Sequence, residues 1–249
     1  MSDWDRLHPD MLQPRDEADV AEIIATTDCP LEPLAGGSKR AVGRPVTGEV
    51  LDLGALRGIL SYEPDELIIT ARAATPLDEI EAALRAEGQR LAFEPPDWTA
   101  LLAAPAMPGA TTATADAPLS AVRPTIGGVL AANASGSRRL TAGAARDHFL
   151  GFRAVSGRAE RFKAGGRVVK NVTGYDLPKL LAGSWGTLAV LTEVTVRVHP
   201  LPECERTLLL ALAAPSAAVG ALGAALASAC EVSAAAFSPR FGAALRLEG

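Results

Sequence analysis

The sequence predicts an α+β fold in two parts, residues 1–200 and residues 201–249. Short runs rich in β-branched residues are separated by Gly, Pro, Asn and Asp, as in sheets with tight turns. Between these runs, other segments repeat their apolar residues at helical spacing. After Pro200 the pattern changes to a strand, an Ala-rich helix and two more strand-like runs, which is typical of the start of a second α+β unit.

Length and composition indicate the class of protein. With 249 residues, of which 48% are apolar, the chain is long enough to bury a sizeable core. No apolar run reaches the ~18 residues that a membrane-spanning helix needs. The polar start MSDWDRLHPD has neither the basic nor the apolar region of a signal peptide, so we expect a globular, cytoplasmic protein.

Cysteine spacing and missing motifs disfavour several kinds of site. Cys29, Cys204 and Cys230 form no CxxC pair, which argues against a disulfide framework and against a metal or iron–sulfur site of the chain's own. The sequence lacks HExxH, GxSxG and the P-loop pattern, so zincin, hydrolase and P-loop chemistry are disfavoured.

Charge is distributed unevenly along the chain. Residues 1–122 carry a net charge of −12, residues 123–170 carry +8 and residues 171–249 carry −1. The basic block suits an anionic ligand such as a pyrophosphate, an acidic partner surface, or a solvated basic face. Nucleic acid is disfavoured, because the whole chain carries −5 and no aromatic residues alternate with the arginines.

The first elements lead into a short glycine loop. Residues 17–27 predict an amphipathic helix that Asp16 caps. Leu31–Leu34 predicts a strand that enters the loop AGGSKRAVGRP, whose small residues allow several N–H groups to face one anion. Lys39 and Arg40 add positive charge. The loop is not GxGxxG and no helix clearly follows it, so a Rossmann fold is disfavoured.

Three strands and a helix are predicted next. The runs Val50–Leu53, Gly58–Tyr62 and Glu66–Ala73, with turn residues between them, predict a meander. The segment TPLDEIEAALRAEG predicts a helix with Thr75 as N-cap and Gly88 as terminator. We expect this helix to serve packing alone.

A low-complexity tract precedes a second glycine-rich segment. The tract, about residues 97–124, is rich in Ala, Pro and Thr and predicts an exposed, partly disordered insertion. Gly127–Asn133 predicts a helix that opens on two glycines. We expect its first N–H groups to be unsatisfied and available to a phosphate or a ligand carbonyl.

A hairpin, a helix and a long strand complete the first part. The hairpin joins Phe149–Ser156 to Glu160–Ala164, Tyr175–Ala182 predicts a helix, and Thr187–Val198 predicts a strand with alternating outward Thr and Arg. In the second part, strands 207–212, 232–237 and 243–247 and helix 216–229 predict a ferredoxin-like unit. We expect that unit to lack its second helix and last strand.

Several motifs together resemble one family. They are Gly36-Gly37-Ser38-Lys39 with Gly43-Arg44-Pro45, the run ELIITARAATPLDEIEAAL, the EPP at Glu94–Pro96, and the block VVKNVTGYDLPKLLAGSWGTLAVLTEVTVRVHP that ends at Pro200. These residues resemble the FAD-binding domain of the PCMH or vanillyl-alcohol oxidase type, and within it the E subunits of bacterial glycolate oxidases. The resemblance covers residues 13–248, and its last block is the most specific part.

The resemblance implies an FAD site that joins the two glycine-rich segments. Its implied cofactor contacts are Ala35, Gly36, Gly37, Ser38, Lys39, Gly43, Pro95, Thr125, Ile126, Gly127, Gly128, Asn133, Gly136, Arg146, Asp147, Gly183, Gly186, Leu188 and Val194. Lys170, Asn171, Tyr175 and Asp176 form either ligand contacts or a capped turn, and Arg146 and Asp147 either contact the cofactor or form a surface ion pair. We expect non-covalent FAD, because no His or Cys lies between Pro30 and Asp147.

The resemblance also implies an activity. It implies an FAD-dependent subunit that oxidises glycolate, or a similar 2-hydroxy acid, to the 2-oxo acid, with electrons leaving through a related FAD-binding subunit and an iron–sulfur subunit. A non-catalytic, FAD-holding subunit of the same complex is the alternative. A UDP-sugar enolpyruvyl reductase of the same fold is not supported by the block of residues 166–200. The complex is expected in the cytoplasm, peripheral to the inner membrane.

The chain departs from the family pattern in two places. The tract about residues 97–124 is longer than the family's connection, and residues 201–249 supply only part of the family's cap domain. Substrate contacts from the rest of the cap therefore correspond to no residue here, and no catalytic residue is assigned. We expect the isolated chain to be weakly active.

Overall fold

In the computed structural model the described residues are 12–44, 47–102, 122–166, 174–212 and 214–249. The helices are α1 Glu17–Thr26, α2 Leu77–Ala86, α3 Thr99–Leu102, α4 Ile126–Ala132, α5 Ala145–His148, α6 Leu177–Leu181 and α7 Pro215–Leu226. The strands are β1 Leu31–Leu34, β2 Glu49–Asp52, β3 Ile59–Glu63, β4 Ile68–Arg72, β5 Gln89–Arg90, β6 Phe149–Ser156, β7 Arg161–Gly165, β8 Ala189–Arg197, β9 His199–Pro200, β10 Glu205–Leu210, β11 Val232–Ser238 and β12 Gly242–Glu248. This mixture confirms the predicted α+β class.

The largest sheet has five antiparallel strands in the order β3-β4-β8-β6-β7. The predicted β6–β7 hairpin is confirmed. The expectation that β8 alternates outward threonines is wrong, because β8 lies between β4 and β6 and is buried on both faces. Thr192 and Thr195 are buried, and the adjacent Val190 and Leu191 pack into two different apolar clusters.

The predicted meander is wrong for β2. This strand pairs in parallel with β1 in a separate two-stranded sheet, whereas β3 and β4 form the antiparallel pair. Parallel neighbours need a crossover of about a dozen residues. The glycine loop and the residues that follow it, between Leu34 and Glu49, provide that connection.

Helix starts were predicted with mixed success. Asp16 caps α1 as expected, since its carboxylate accepts from the N–H groups of Ala18 and Asp19. Thr75 is not the N-cap of α2, because Pro76 occupies that position. The Thr75 hydroxyl is buried and instead donates to the carbonyl of Arg72, at 2.7 Å.

Two apolar clusters form the core of residues 12–198. The main cluster packs α2 and α4 onto the five-stranded sheet, with Phe93, Ile80 and Leu130 among its fully buried members. A smaller cluster lies between α1 and β2 and includes Val20 and Leu51. Together they hold β1, β2, α4 and β8 in fixed positions around the candidate site.

The segment from β10 to β12, residues 205–248, is called the C-terminal unit below. It contains a three-stranded antiparallel sheet, in the order β10-β12-β11, and α7. The second helix and last strand of a complete ferredoxin-like unit are not among its described elements. Most of the predicted insertion, residues 103–121, lies outside the described residues. Among the described residues, no helix is long and apolar enough to cross a membrane.

Candidate cofactor site

The glycine loop leaves β1 and is held in tight turns. Gly37 has a φ of +69°, which favours glycine, and its carbonyl accepts from the N–H of Arg40. Arg40 is not free to add charge to a ligand, because its guanidinium forms two hydrogen bonds to the Glu32 carboxylate, at 2.9 and 2.8 Å. Both side chains are largely buried, so this ion pair anchors the base of the loop.

The glycine loop offers backbone and side-chain hydrogen-bond donors to a ligand. Among the described residues, no oxygen accepts from the N–H groups of Gly37 and Lys39. The Lys39 ammonium lies 3.2 Å from the Ser38 hydroxyl oxygen and forms no ion pair within the described part of the chain. Burial lowers the pKa of Lys39, an effect that the more distant Asp97 carboxylate opposes. A half-buried cation without a carboxylate partner suits an anionic group.

The start of α4 is different, and the expectation of free N–H groups there is wrong. The N–H of Ile126 donates to the Thr75 carbonyl at 3.0 Å, and that of Gly127 donates to the Ala73 carbonyl at 2.8 Å. The Thr125 side chain accepts from the N–H of Gly128 at 3.3 Å. Because the turn after β4 supplies two of these acceptors, the helix start is satisfied within the protein.

A third segment docks on the carboxyl end of α4. The N–H groups of Gly183 and Trp185 donate to the carbonyls of Leu130 and Ala131, at 3.2 and 2.9 Å. Trp185 has a positive φ of +55° and a half-exposed side chain, which places its indole at the surface of this turn. The hydrogen bonds fix the turn before β8 against α4.

The three segments enclose a small cleft of about 90 Å³ that is partly open to solvent. Its lining residues are Pro33, Ala35, Leu53, Ala73, Thr125, Gly127, Gly128, Ala131, Ser184, Trp185, Gly186, Ala189, Val190 and Leu191. A second cleft, of about 250 Å³, shares Pro33, Gly186, Ala189 and Val190 and continues towards Cys29 and Leu188.

The structure brings some of the predicted contacts to these clefts. Ala35, Thr125, Gly127, Gly128 and Gly186 line the first cleft, and Leu188 lines the second. The loop residues Gly36 to Lys39 lie beside the first cleft. The Lys39 ammonium comes within 4.0 Å of the point where a Cβ of Gly128 would stand.

Packing within the protein explains three of the predicted glycines. A Cβ on Gly36 would lie 1.7 Å from the Arg123 carbonyl oxygen, one on Gly127 would lie 2.7 Å from that of Ala73, and one on Gly136 would lie 2.4 Å from that of Glu94. No side chain fits at such distances. By contrast, a Cβ on Gly43 or Gly37 would meet at most one side-chain atom.

Other predicted contacts have roles within the protein. Asn133, Ser135 and Asp147 accept from the N–H groups at the start of α5, at 2.9 to 3.0 Å. The Arg146–Asp147 ion pair, at 3.9 Å, is long and exposed. Asp176 caps α6, as the capped-turn alternative expects, and Tyr175 is 89% exposed.

The remaining predicted contacts lie away from both clefts or outside the described residues. Pro95 lines a separate polar groove. The Val194 side chain is 0% exposed within the main apolar cluster, so a ligand has no access to it. Lys170 and Asn171 lie outside the described residues.

Sequence reasoning missed several residues that line the first cleft. Pro33 and Leu53 lie at the carboxyl ends of the parallel pair β1 and β2. Ligands often bind beyond the carboxyl ends of parallel strands, and a correct parallel assignment for β2 would have indicated both residues. Nothing in the sequence indicates that Ala73 and Ala131 line a cleft, because small apolar residues are equally common in cores.

Comparison with known proteins places this site in a family. Residues 11–110 match a protein family described as an FAD binding domain. The fold resembles a solved structure of alkyldihydroxyacetonephosphate synthase, with a TM-score of 0.69 at 18% identity over 95% of this chain and 46% of that chain. The chain therefore contains an FAD-binding domain of the PCMH type, as predicted.

Within this class, the relatives that are similar in sequence are all longer than this chain. The chain is 41% identical to glycolate oxidase subunit GlcE of Escherichia coli, over 72% of this chain and 45% of that protein. It is 29% identical to glycolate oxidase subunit GlcD of Bacillus subtilis and 30% identical to a D-lactate dehydrogenase of Archaeoglobus fulgidus. The chain spans less than half the length of each of these relatives.

The geometry fits FAD, the expected cofactor. The N–H groups of the glycine loop and the Lys39 ammonium, which have no acceptor or carboxylate partner among the described residues, are donors of the kind that a pyrophosphate accepts from. The first cleft is largely apolar, lined by Pro33, Leu53 and Trp185, which suits the nonpolar faces of a ring system.

Proposed function

We propose that the chain is the FAD-binding subunit of a complex that oxidises glycolate, or a similar 2-hydroxy acid, to the 2-oxo acid. The observation that carries the proposal is the cleft in which the glycine loop, the start of α4 and the turn before β8 meet, with unsatisfied donors at its loop side. The names of the relatives, a glycolate oxidase subunit and a D-lactate dehydrogenase, favour 2-hydroxy acids as substrates.

In this proposal the chain's own residues bind and position the cofactor. The N–H groups of Gly37 and Lys39, with the Lys39 ammonium, bind the pyrophosphate. The apolar walls, including Trp185, exclude water from one side of the ring system. When bound, FAD supplies the oxidising equivalents for the substrate.

A non-catalytic, FAD-holding subunit of the same complex is the second candidate. Its support is the exposed apolar surface of the C-terminal unit. Within the described part of α7 only Ala218 is buried, while Val219 and Leu226 are exposed, and Leu209 of β10 is 69% exposed. A surface of this kind suits contact with another protein.

The proposed complex includes a related FAD-binding subunit and an iron–sulfur subunit, through which electrons leave. We place it in the cytoplasm, peripheral to the inner membrane. Turnover is then expected to need those partners, since the described residues provide no complete roof over the cleft.

The binding step is tested with the purified chain and FAD. We expect a saturable change in flavin fluorescence, and release of the colour into the supernatant on acid precipitation, because binding is non-covalent. Colour that stays in the precipitate would contradict non-covalent binding. Since Cys29 lines the second cleft, FAD is also expected to slow its alkylation, with exposed Cys230 as the internal control.

The catalytic step is tested by glycolate-dependent dye reduction. The chain alone and the chain with its partner subunits are compared, with D-lactate as a second substrate. We expect weak activity alone and strong activity in the complex. Full activity of the chain alone would overturn the requirement for partners, and a complex that is active without FAD on this chain would favour the non-catalytic alternative.

A further inference from the structure

The contact between the C-terminal unit and the rest of the protein is polar. Among the described residues, neither apolar cluster of residues 12–198 includes a residue of the C-terminal unit. The unit buries its own small set of apolar residues, Ala218, Val232, Ala243 and Leu245. The two parts are joined by charged side chains, by the packing of β11 against the turn Ser137–Leu140, and by the short connection that follows β9.

Six charged side chains meet at this contact, three of each sign. They are Glu94, Arg90 and Arg138 from the first part, and Glu205, Arg246 and Glu248 from the C-terminal unit. Arg138 alone contacts three carboxylates, at 3.1 Å to Glu94, 2.8 Å to Glu205 and 2.6 Å to Glu248. Burial raises the pKa of Glu248, but the hydrogen bonds and charges of Arg90 and Arg138 outweigh this effect and lower the pKa to about 2, so this carboxylate stays ionised.

Glu94 has a special position in this cluster. Its carboxylate accepts two hydrogen bonds from the Arg246 guanidinium, at 2.6 and 2.9 Å, and also accepts from the backbone N–H of Arg138 at 3.3 Å. Its backbone has a φ of +50°, a left-handed conformation that costs a non-glycine residue free energy and is retained only where contacts impose it.

The backbone of Glu94 also touches the turn that follows α4. The N–H of Gly136 donates to the Phe93 carbonyl at 2.9 Å, and the Glu94 carbonyl packs against Gly136 so closely that no Cβ would fit. The turn begins after Asn133, the residue that ends α4. One residue thus joins the C-terminal unit to the end of a helix that lines the cleft.

We propose that Glu94 is a positioning residue that clamps the C-terminal unit onto the turn after α4 and thereby sets the environment of the bound flavin. The second half of this statement rests on the proposed function. Because the clamp consists of charges, loss of the Glu94 carboxylate removes both of its hydrogen bonds from Arg246 and leaves three arginines against two carboxylates, which lets the unit open.

The test compares Glu94→Gln with a matched control, Glu17→Gln. Glu17 also pairs with an arginine, Arg153, at 2.6 Å and is well buried, but this pair lies within the first part of the protein. Hydrogen exchange of residues 136–140 and 205–210 is measured beside that of β6 and β8. We expect exchange about tenfold faster in the first two segments of Glu94→Gln, with β6 and β8 unchanged, and no such change in Glu17→Gln.

The positioning role has its own readout, the emission and visible spectrum of bound FAD. We expect Glu94→Gln to change both and Glu17→Gln to change neither. Unchanged exchange in Glu94→Gln would overturn the clamp. Faster exchange with an unchanged flavin spectrum would overturn the positioning role. If the wild-type chain binds no FAD, the proposed function fails while the exchange result still decides the clamp.

A second variant covers the case in which Glu94→Gln fails to fold. The double variant Glu94→Gln with Arg246→Gln removes one charge of each sign and leaves the cluster balanced. We expect it to fold and still to show the faster exchange, because the bridge between the two parts is gone. Wild-type exchange in the double variant would show that charge balance alone matters and would overturn the role of Glu94.

Discussion

The two glycine pairs of this protein have the same sequence and different physical uses. Gly36-Gly37 lies in a loop whose Gly37 and Lys39 N–H groups find no acceptor in the part of the chain that the structure describes. Gly127-Gly128 opens a helix whose first N–H groups are all satisfied. In each pair one glycine is required because another backbone lies too close for a Cβ. A glycine pair therefore does not by itself identify a ligand site, and the neighbouring carbonyl groups decide its use.

The largest expected effect is a loss of stability when alanine replaces the first of the two glycines of α4, but not the second. Gly127→Ala is expected to destabilise the fold by about 3 kcal/mol, because its Cβ would lie 2.7 Å from the Ala73 carbonyl oxygen and the main core would have to shift. Gly128→Ala, with its closest contact at 3.1 Å, is expected to stay within about 1 kcal/mol of wild type and to weaken FAD binding. Thermal unfolding and FAD titration measure both. Equal stability of the two variants would contradict the packing account of Gly127.

The next prediction concerns a substitution that changes the backbone conformation of the glycine loop. Gly37→Val is expected to abolish FAD binding, because a β-branched residue does not adopt a φ of +69° and the N–H groups of the loop would turn away. The core is expected to stay packed, since the nearest atom to the added Cβ is 3.9 Å away. Circular dichroism monitors the fold. A folded variant with normal flavin content would refute the role of this loop.

A smaller effect is expected from the unpaired cation. Lys39→Met should weaken FAD binding about tenfold, as expected for the loss of one charged donor, with exposed Lys163→Met as the control. The pKa of Lys39 is lowered by burial, and an anion favours the protonated form. Wild-type affinity should therefore fall as the pH rises through that lowered pKa. The pH profile of Lys39→Met should lack this step, and an identical step in both proteins would exclude Lys39.

The smallest expected effect concerns the cap of α4. Thr125→Val removes the hydroxyl that accepts from the Gly128 N–H and should cost about 1 kcal/mol of stability. Thr125→Ser keeps the acceptor and should be close to wild type. FAD affinity is expected to change little in either variant. Markedly tighter FAD binding by Thr125→Val would mean that a freed Gly128 N–H reaches the cofactor, which would bring the two glycine pairs closer in function.

The sequence alone determined the α+β class, most elements and the FAD-binding family. Helical periodicity indicated α1 and α2, the glycine pair indicated the start of α4, and turn residues indicated the β6–β7 hairpin, because these signals are local. The motifs from Gly36 to Lys39 and before Pro200 were specific enough to identify the family. Local signals also predicted Asp176 as a helix cap, one of two alternatives.

Only the tertiary structure decided which strands are neighbours and which polar groups remain free. The parallel pairing of β2 with β1 depends on a crossover, and the burial of β8 on both faces depends on what covers the sheet. The acceptors for Ile126 and Gly127 come from residues about 50 positions earlier in the chain. The partners of Glu94 are likewise remote in sequence, at Arg138 and Arg246. Hydrogen bonds and ion pairs between distant segments leave no periodic pattern in the sequence, so they become visible only when the chain is folded.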